Sequence, residues 1–264
     1  MLCKDIIEVI ERNYSPKYAM EWDNVGLLAG RDNKEVKRIY IALDATDEVI
    51  EDAVRAGADM LVTHHPLIFS GLKRINNQDF VGRRLIKLIS NDISCYSMHT
   101  NYDVCGMADL SAEKMGFENA EVLEITFEEG ESQGKICMGI GKAADVSEEM
   151  TLSECCDVVK KAFSLSNVKV FGELDRKVKR IAICPGSGKS VIGEAIKKHA
   201  DVLVTGDIGH HEGIDSVAQG LSIIDAGHYG IEHIFIEDME RYLKNHLSGV
   251  EIISAPISHP FQIV

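Results

Sequence analysis

The stretch Val36–Thr63, VKRIYIALDATDEVIEDAVRAGADMLVT, returns 142 positions later as Val178–Thr205, VKRIAICPGSGKSVIGEAIKKHADVLVT. Thirteen of the 28 aligned positions are identical without a gap, where average residue usage would give about two. Self-similarity on this scale marks a duplicated supersecondary unit. Each copy opens on a β-branched apolar run, passes through a turn into a stretch with apolar residues at helical spacing, and ends on a second apolar run. That order is a βαβ unit. Met60-Leu61-Val62 and Val202-Leu203-Val204 are continuously apolar, as parallel strands covered by helices on both faces require.

A further strand-like run follows each copy, Ile93–Met98 in the first and Leu221–Ile224 in the second, and each ends at a histidine-containing turn. The expected fold is therefore α/β, with two pseudo-symmetric α/β halves from an internal duplication. The expected segments are a first half over 1–125, a short connection over 126–176, and a second half over 177–264. The connection carries strand-like runs such as Lys135–Ile140 and one helix started by the capping box Thr151-x-x-Glu154.

Composition narrows the function. The 264 residues are 45% hydrophobic and 27% charged with five prolines, which describes a globular chain. A net charge of −14 repels phosphate backbones and anionic headgroups, and the densest basic stretch, Arg176–Arg180, sits beside Asp175. Nucleic acid and membrane are accordingly not expected partners. The N-terminal MLCKDIIEVIERN reads as an amphipathic helix and not a signal peptide. The longest charge-free hydrophobic stretch, Met60–Leu72, is shorter than the about 20 apolar residues of a spanning helix. Seven cysteines without a C-x-x-C pair point to reduced thiols and a cytoplasmic location.

Ligands of parallel sheets bind beyond the carboxyl ends of the strands, so the residues after each Leu-Val-Thr matter. His64-His65-Pro66 follows the first; two adjacent imidazoles at a strand exit favour metal ligation over core packing. The next exits carry His99-Thr-Asn-Tyr-Asp103 and His228-Tyr-Gly-Ile-Glu232, in which four-residue spacing on an opening helical turn sets an imidazole and a carboxylate on one face. Pro185-Gly-Ser-Gly-Lys-Ser190 resembles the end of a P-loop, yet Ile183 stands where that pattern needs glycine and the aligned Asp44–Glu48 is acidic. Its alternatives are an anion contact and a plain turn. Trp22, the single tryptophan, is either a stacking residue or packing. Cys155-Cys156 and Cys105 are read without chemistry.

These motifs, together with Glu21-Trp-Asp-Asn-Val-Gly26, Thr205-Gly-Asp207 with His211, and Asp225-Ala-Gly-His228, resemble the NIF-three-like proteins, also called GTP cyclohydrolase I type two homologues, over the whole chain. The resemblance is to the short form, without an inserted middle domain. It implies two similar α/β halves facing one another, ring-like hexamers, and a paired-metal site at His64, His65, Asp103, His228 and Glu232. Three imidazoles and two carboxylates suit zinc, iron or manganese and are poor for calcium. His99 is expected beside the ligands as an outer partner or proton carrier, and His211 as a second proton carrier. Asp207, His210 and His211 are placed to orient substrate or water, or are structural. The implied activity is a dinuclear-metal-dependent hydrolase of a nucleotide-like small molecule, with GTP ring opening by metal-bound hydroxide as its named form. The alternatives are a metal-dependent phosphoesterase and a non-catalytic, metal-stabilised scaffold or regulatory partner.

Overall fold

The structure is a computed structural model that describes residues 1–130 and 136–264. Along the first part of the chain run α1 (Cys3–Asn13), β1 (Gly26–Ala29), β2 (Arg38–Ala42), α2 (Asp47–Arg55), β3 (Met60–Thr63), α3 (Phe80–Ser90), β4 (Ser94–Ser97) and the single turn α4 (Thr100–Tyr102). A π-helical turn, Asp103–Met107, leads into α5 (Ala108–Lys114), β5 (Glu121–Glu129), β6 (Ile136–Thr151), α6 (Leu152–Ala162), β7 (Lys169–Phe171) and β8 (Lys177–Ser187). The chain closes with α7 (Ile192–Lys197), β9 (Val202–Gly206), α8 (His210–Ala218), β10 (Ser222–Asp225), α9 (His228–Glu232), α10 (Ile234–His246) and β11 (Glu251–Ser254). Lys135, where a strand-like run was expected to start, lies outside the described residues.

Two compact units result. The first holds Met1–Tyr102 and Phe235–Ser258; the second holds Asp103–Ile234 and His259–Val264. In the first, a five-stranded sheet has the order β1-β4-β3-β2-β11, parallel except for β1, which runs against β4. Helices α2 and α3 start at side-chain caps: Thr46 accepts the Val49 amide at 3.2 Å and Asp79 accepts the Gly82 amide at 2.7 Å. Each cap satisfies an amide that the first turn leaves without a partner. Ile50, Ala53, Leu85 and Leu88 then turn inward onto Tyr40, Leu61 and Cys95 of the sheet, forming one continuous core.

The second unit contains a six-stranded sheet of order β5-β6-β8-β9-β10-β7, in which only β8-β9 and β9-β10 are parallel. Its core gathers Leu123, Ala143, Ala182, Val191, Leu203 and Leu221. The capping box expected at Thr151 opens α6: Glu154 donates its amide to Thr151 Oγ1 at 3.2 Å and accepts the Thr151 amide at 2.7 Å.

Contacts group the chain differently from the three expected segments. Residues 103–125 pack with the second unit, the 126–176 segment supplies strands to its sheet, and 235–258 complete the first unit. The physical reason is edge pairing. β11 adds to β2 with Glu251 opposite Arg38, and β5 and β6 add to β8; strand partners far apart in sequence leave no periodicity to read.

Equivalent elements of the two units share their register. Ile39 and Ile41 of β2 pair with Met60 and Val62, while Ile181 and Ile183 of β8 pair with Val202 and Val204. Asp59 accepts the amides of Lys37 and Arg38 at 2.7 and 3.0 Å, and Asp201 accepts those of Lys179 and Arg180 at 2.8 Å each. The Asp of each Ala-Asp dipeptide thus ties the first part of one strand, or the residue before it, to the turn that enters the next strand.

Candidate functional site

In the first unit, β3 delivers Thr63 at its carboxyl end, and Thr63 Oγ1 reaches Ser97 Oγ of β4 at 2.8 Å and the His65 carbonyl at 2.9 Å. These bonds fix the backbone where it leaves the sheet. His64 is fully buried, and its ring lies 4.9 Å from that of His65 and 5.4 Å from that of His99, which follows β4. One ring nitrogen of each of the three falls within 4.8 Å of the others, a spacing that a single cation can span. His64 also packs against Tyr102 and Phe235, with centroids 5.9 and 5.4 Å away.

Two of these imidazoles are oriented by carboxylates. Asp44, just past β2, lies 2.7 Å from His65 Nδ1, and Asp23 lies 2.8 Å from His99 Nδ1. With Nδ1–H donating to the carboxylate, a neutral ring presents its Nε2 lone pair outward, as metal ligation or proton abstraction requires. Burial works against the Asp23 charge, but His99 and the hydroxyl and amide of Thr100 overcome it and hold the carboxyl at about 2.

In the second unit, Gly227 takes a φ of +75° and so turns β10 into α9. His228 opens that helix, and its Nε2 meets Glu232 Oε2, one turn on, at 3.0 Å. Four-residue spacing sets the two side chains on one face of the helix. Asp207, itself at φ +58°, lies 2.8 Å from His228 Nδ1, which makes it the orienting carboxylate of this ring. Glu232 is buried, and an oxygen of Asp103, at the head of the π-helical turn, is within 4.8 Å of one of its own. Two carboxylates so close favour a shared cation. Burial, together with the charges of Asp103, Glu124 and Glu232, pushes the Cys184 thiol up, so it stays protonated beside them.

The placement of the expected residues is therefore specific. His64, His65 and His99 cluster in the first unit; Asp103, His228 and Glu232 gather in the second. His99 and Asp103, read as one pair from their spacing, belong to different units, and the carboxylate on His99 is Asp23. His211 is exposed at the start of α8, its ring 5.1 Å from that of His210. Trp22 is 60% exposed, with its ring 5.8 Å from that of Phe69 and 5.9 Å from that of His99. The P-loop-like turn uses Gly186 differently: at φ +81°, a Cβ there would meet Glu232 Oε1 at 2.5 Å, so the glycine makes room for that carboxylate.

Sequence reasoning missed the roles of Asp44 and Asp23. Asp44 stands past the end of a parallel strand, the position the strand-exit rule singles out. Asp23 lies inside the Glu21–Gly26 motif, in which only Trp22 carried a reading of its own. The three-imidazole cluster and the Asp103/Glu232 carboxylates are groups of nitrogen and oxygen donors that could hold a metal ion.

The chain belongs to the Duf34/NIF3 (NGG1p interacting factor 3) family, whose model matches residues 1–260. A GTP cyclohydrolase 1 type 2 homolog of Clostridium perfringens is 35% identical over 268 residues and covers 100% of both chains. A Halalkalibacterium halodurans protein of the same name is 27% identical over 366 residues, with 98% of each chain covered. That alignment is longer than this chain, as an insertion in the relative requires. Among solved structures, a Bacillus cereus protein related to NIF3 matches at TM-score 0.93 and 28% identity over 100% of this chain and 99% of that one. Reduced HcgD from Methanocaldococcus jannaschii matches at TM-score 0.82 and 33% identity, over 96% and 97%.

Proposed function

We propose that this protein is a metal-dependent hydrolase of a nucleotide-like small molecule, with His64, His65, Asp103, His228 and Glu232 as the ligands of two divalent ions. The carrying observation is the trio His64, His65 and His99, with ring nitrogens within 4.8 Å of one another and carboxylates on two of the three Nδ1 atoms. The names of the curated relatives support a cyclohydrolase-type reaction on GTP as the particular form. The internal duplication belongs to the same reading; the matched registers and the paired roles of Asp59 and Asp201 support it.

Bound metals would supply Lewis acidity and bring the pKa of water close to neutrality. The chain's own part is orientation and proton movement. Asp44 holds the His65 proton on Nδ1 and Asp207 holds that of His228, so both rings keep Nε2 for ligation. His99, with Asp23 on its Nδ1, carries the proton at Nε2 as a base with an orienting partner does. His211 is the second candidate for that role. A hexameric assembly in the cytoplasm, with neither nucleic acid nor membrane as a partner, completes the proposal.

The test is metal content with turnover. Protein purified without chelator is expected to hold two transition metals and to release formate from GTP, and His65→Ala to lose both. Bound metal with no turnover across nucleotides, cyclic nucleotides and phosphate esters would remove the hydrolase reading in favour of a scaffold. Absence of metal binding after reconstitution would remove both.

A further inference from the structure

The first unit exposes an aromatic pair beside its histidines. Trp22 is 60% exposed and Phe69 59%, yet the two rings lie 5.8 Å apart, inclined at 46°. Both stand close to edge-on against His99, at 5.9 and 6.4 Å. Singly exposed rings are ordinary, but two in contact form an apolar patch of the kind that marks a binding surface.

The backbone that carries the pair is held firmly. Next to Trp22, the Asp23 side chain has no exposure and accepts from the Thr100 amide and hydroxyl while facing His99. Asn24 Nδ2 donates to the Ile68 carbonyl at 2.6 Å, which joins the Trp22 segment to the residue before Phe69. Buried and part-buried polar bonds thus preorganise two rings whose own faces stay in solvent. Preorganisation of this kind lowers the ordering cost of binding a ligand. Phe69 also lines a cavity of about 360 Å³ together with Asp44, Thr46, His65, Phe80 and Arg84, a volume in the range of small-molecule sites.

We propose that Trp22 and Phe69 form the stacking subsite for a planar aromatic heterocycle in the ligand, placing that ring against the His64–His65–His99 cluster. Stacking needs only a π-face and no charge, so it operates in a protein whose net charge is −14. The inference rests on the reading of the histidine cluster as facing the substrate. It goes further by naming the part of the ligand that is held and the residues that hold it.

Trp22 is the only tryptophan of the chain, so its fluorescence reports this subsite alone. Full-length protein is titrated with guanosine, and with ribose 5-phosphate as the ligand that lacks a ring system, once in chelator and once with added zinc. Guanosine is expected to quench Trp22 saturably, and Phe69→Ala, checked for retained circular dichroism, to weaken that binding about fivefold or more. Trp22→Phe, followed by calorimetry, is expected to retain most of the affinity because a stacking face remains. No saturable quenching in either condition overturns the proposal, as does equal quenching by ribose 5-phosphate or an unchanged affinity in Phe69→Ala. Quenching that follows protein concentration instead of ligand also overturns it, because a second copy would then cover the pair. Quenching by guanosine in protein that never takes up metal would leave the stacking subsite standing while the metal-hydrolase reading falls. Metal uptake without quenching would do the reverse.

Discussion

At Gly186 a single methyl group decides whether Glu232 can occupy its place. Alanine there would put a Cβ 2.5 Å from Glu232 Oε1 and would hold a φ of +81° that side chains rarely adopt. Gly186→Ala is expected to cost about 1–3 kcal/mol of stability from backbone strain alone, and to lower metal affinity by displacing the carboxylate; chemical denaturation and metal titration separate the two effects. The orienting carboxylates act less directly. Asp44→Asn and Asp207→Asn leave the shape of each site but remove the acceptor charge that fixes the His65 and His228 tautomers. Each is expected to weaken metal binding by about 10- to 100-fold with an unchanged circular dichroism spectrum. A titration equal to wild type would show that these carboxylates are only structural.

Among the elements, the two aligned stretches, β2-α2-β3 and β8-α7-β9, offer an internal comparison. Asp59 and Asp201, at aligned positions just before β3 and β9, each accept two backbone amides of the preceding strand segment. Removing either acceptor leaves two amides to find water, and Asp59→Ala and Asp201→Ala are each expected to cost about 1–3 kcal/mol, read from urea midpoints. Unequal costs would show that the shared sequence does unequal work. The strands and helices also set thiol reactivity. Burial pushes Cys95 of β4 up to about 12, opposed by a Ser97 hydrogen bond, and pushes Cys155 of α6 up to about 12, with Cys156 adding to it. A raised pKa favours the protonated thiol, and alkylating reagents attack the thiolate. At about pH 8, exposed Cys137 is therefore expected to react in the native protein while Cys95 and Cys155 react only after unfolding; mass spectrometry of iodoacetamide adducts reads the order.

For the whole molecule, the return of the chain to its first unit has a consequence for dissection. Phe235, Met239 and Leu243 of α10 are fully buried, and β11 closes the edge of the sheet beside β2. A fragment cut at 125, at the boundary drawn from sequence, lacks both elements and exposes the surface they cover. Such a fragment is expected to be unfolded or aggregated, whereas co-expression with a piece that contains 235–258 restores helical circular dichroism. A cooperatively folding 1–125 fragment would show that the first unit does not depend on its returning segment. No helix among the described residues is long and apolar enough to cross a membrane.

Much of this protein was written locally. The parallel strands β2, β3, β8 and β9 were legible because burial on both faces demands continuous apolar runs. The Thr151 cap was legible because its bonding partner lies three residues away, and the His228–Glu232 pair because one helical turn spans four. Each of these is a short-range relation, which a linear text preserves. Tertiary structure decided the rest. It brought Asp23 to His99 across 76 positions and Asp44 to His65 across 21, set Gly186 beside Glu232, placed β11 next to β2, and left Trp22 and Phe69 open on a fixed backbone. Those relations come from strand order and burial, which depend on contacts between residues far apart in the chain, and no periodicity of the sequence encodes them.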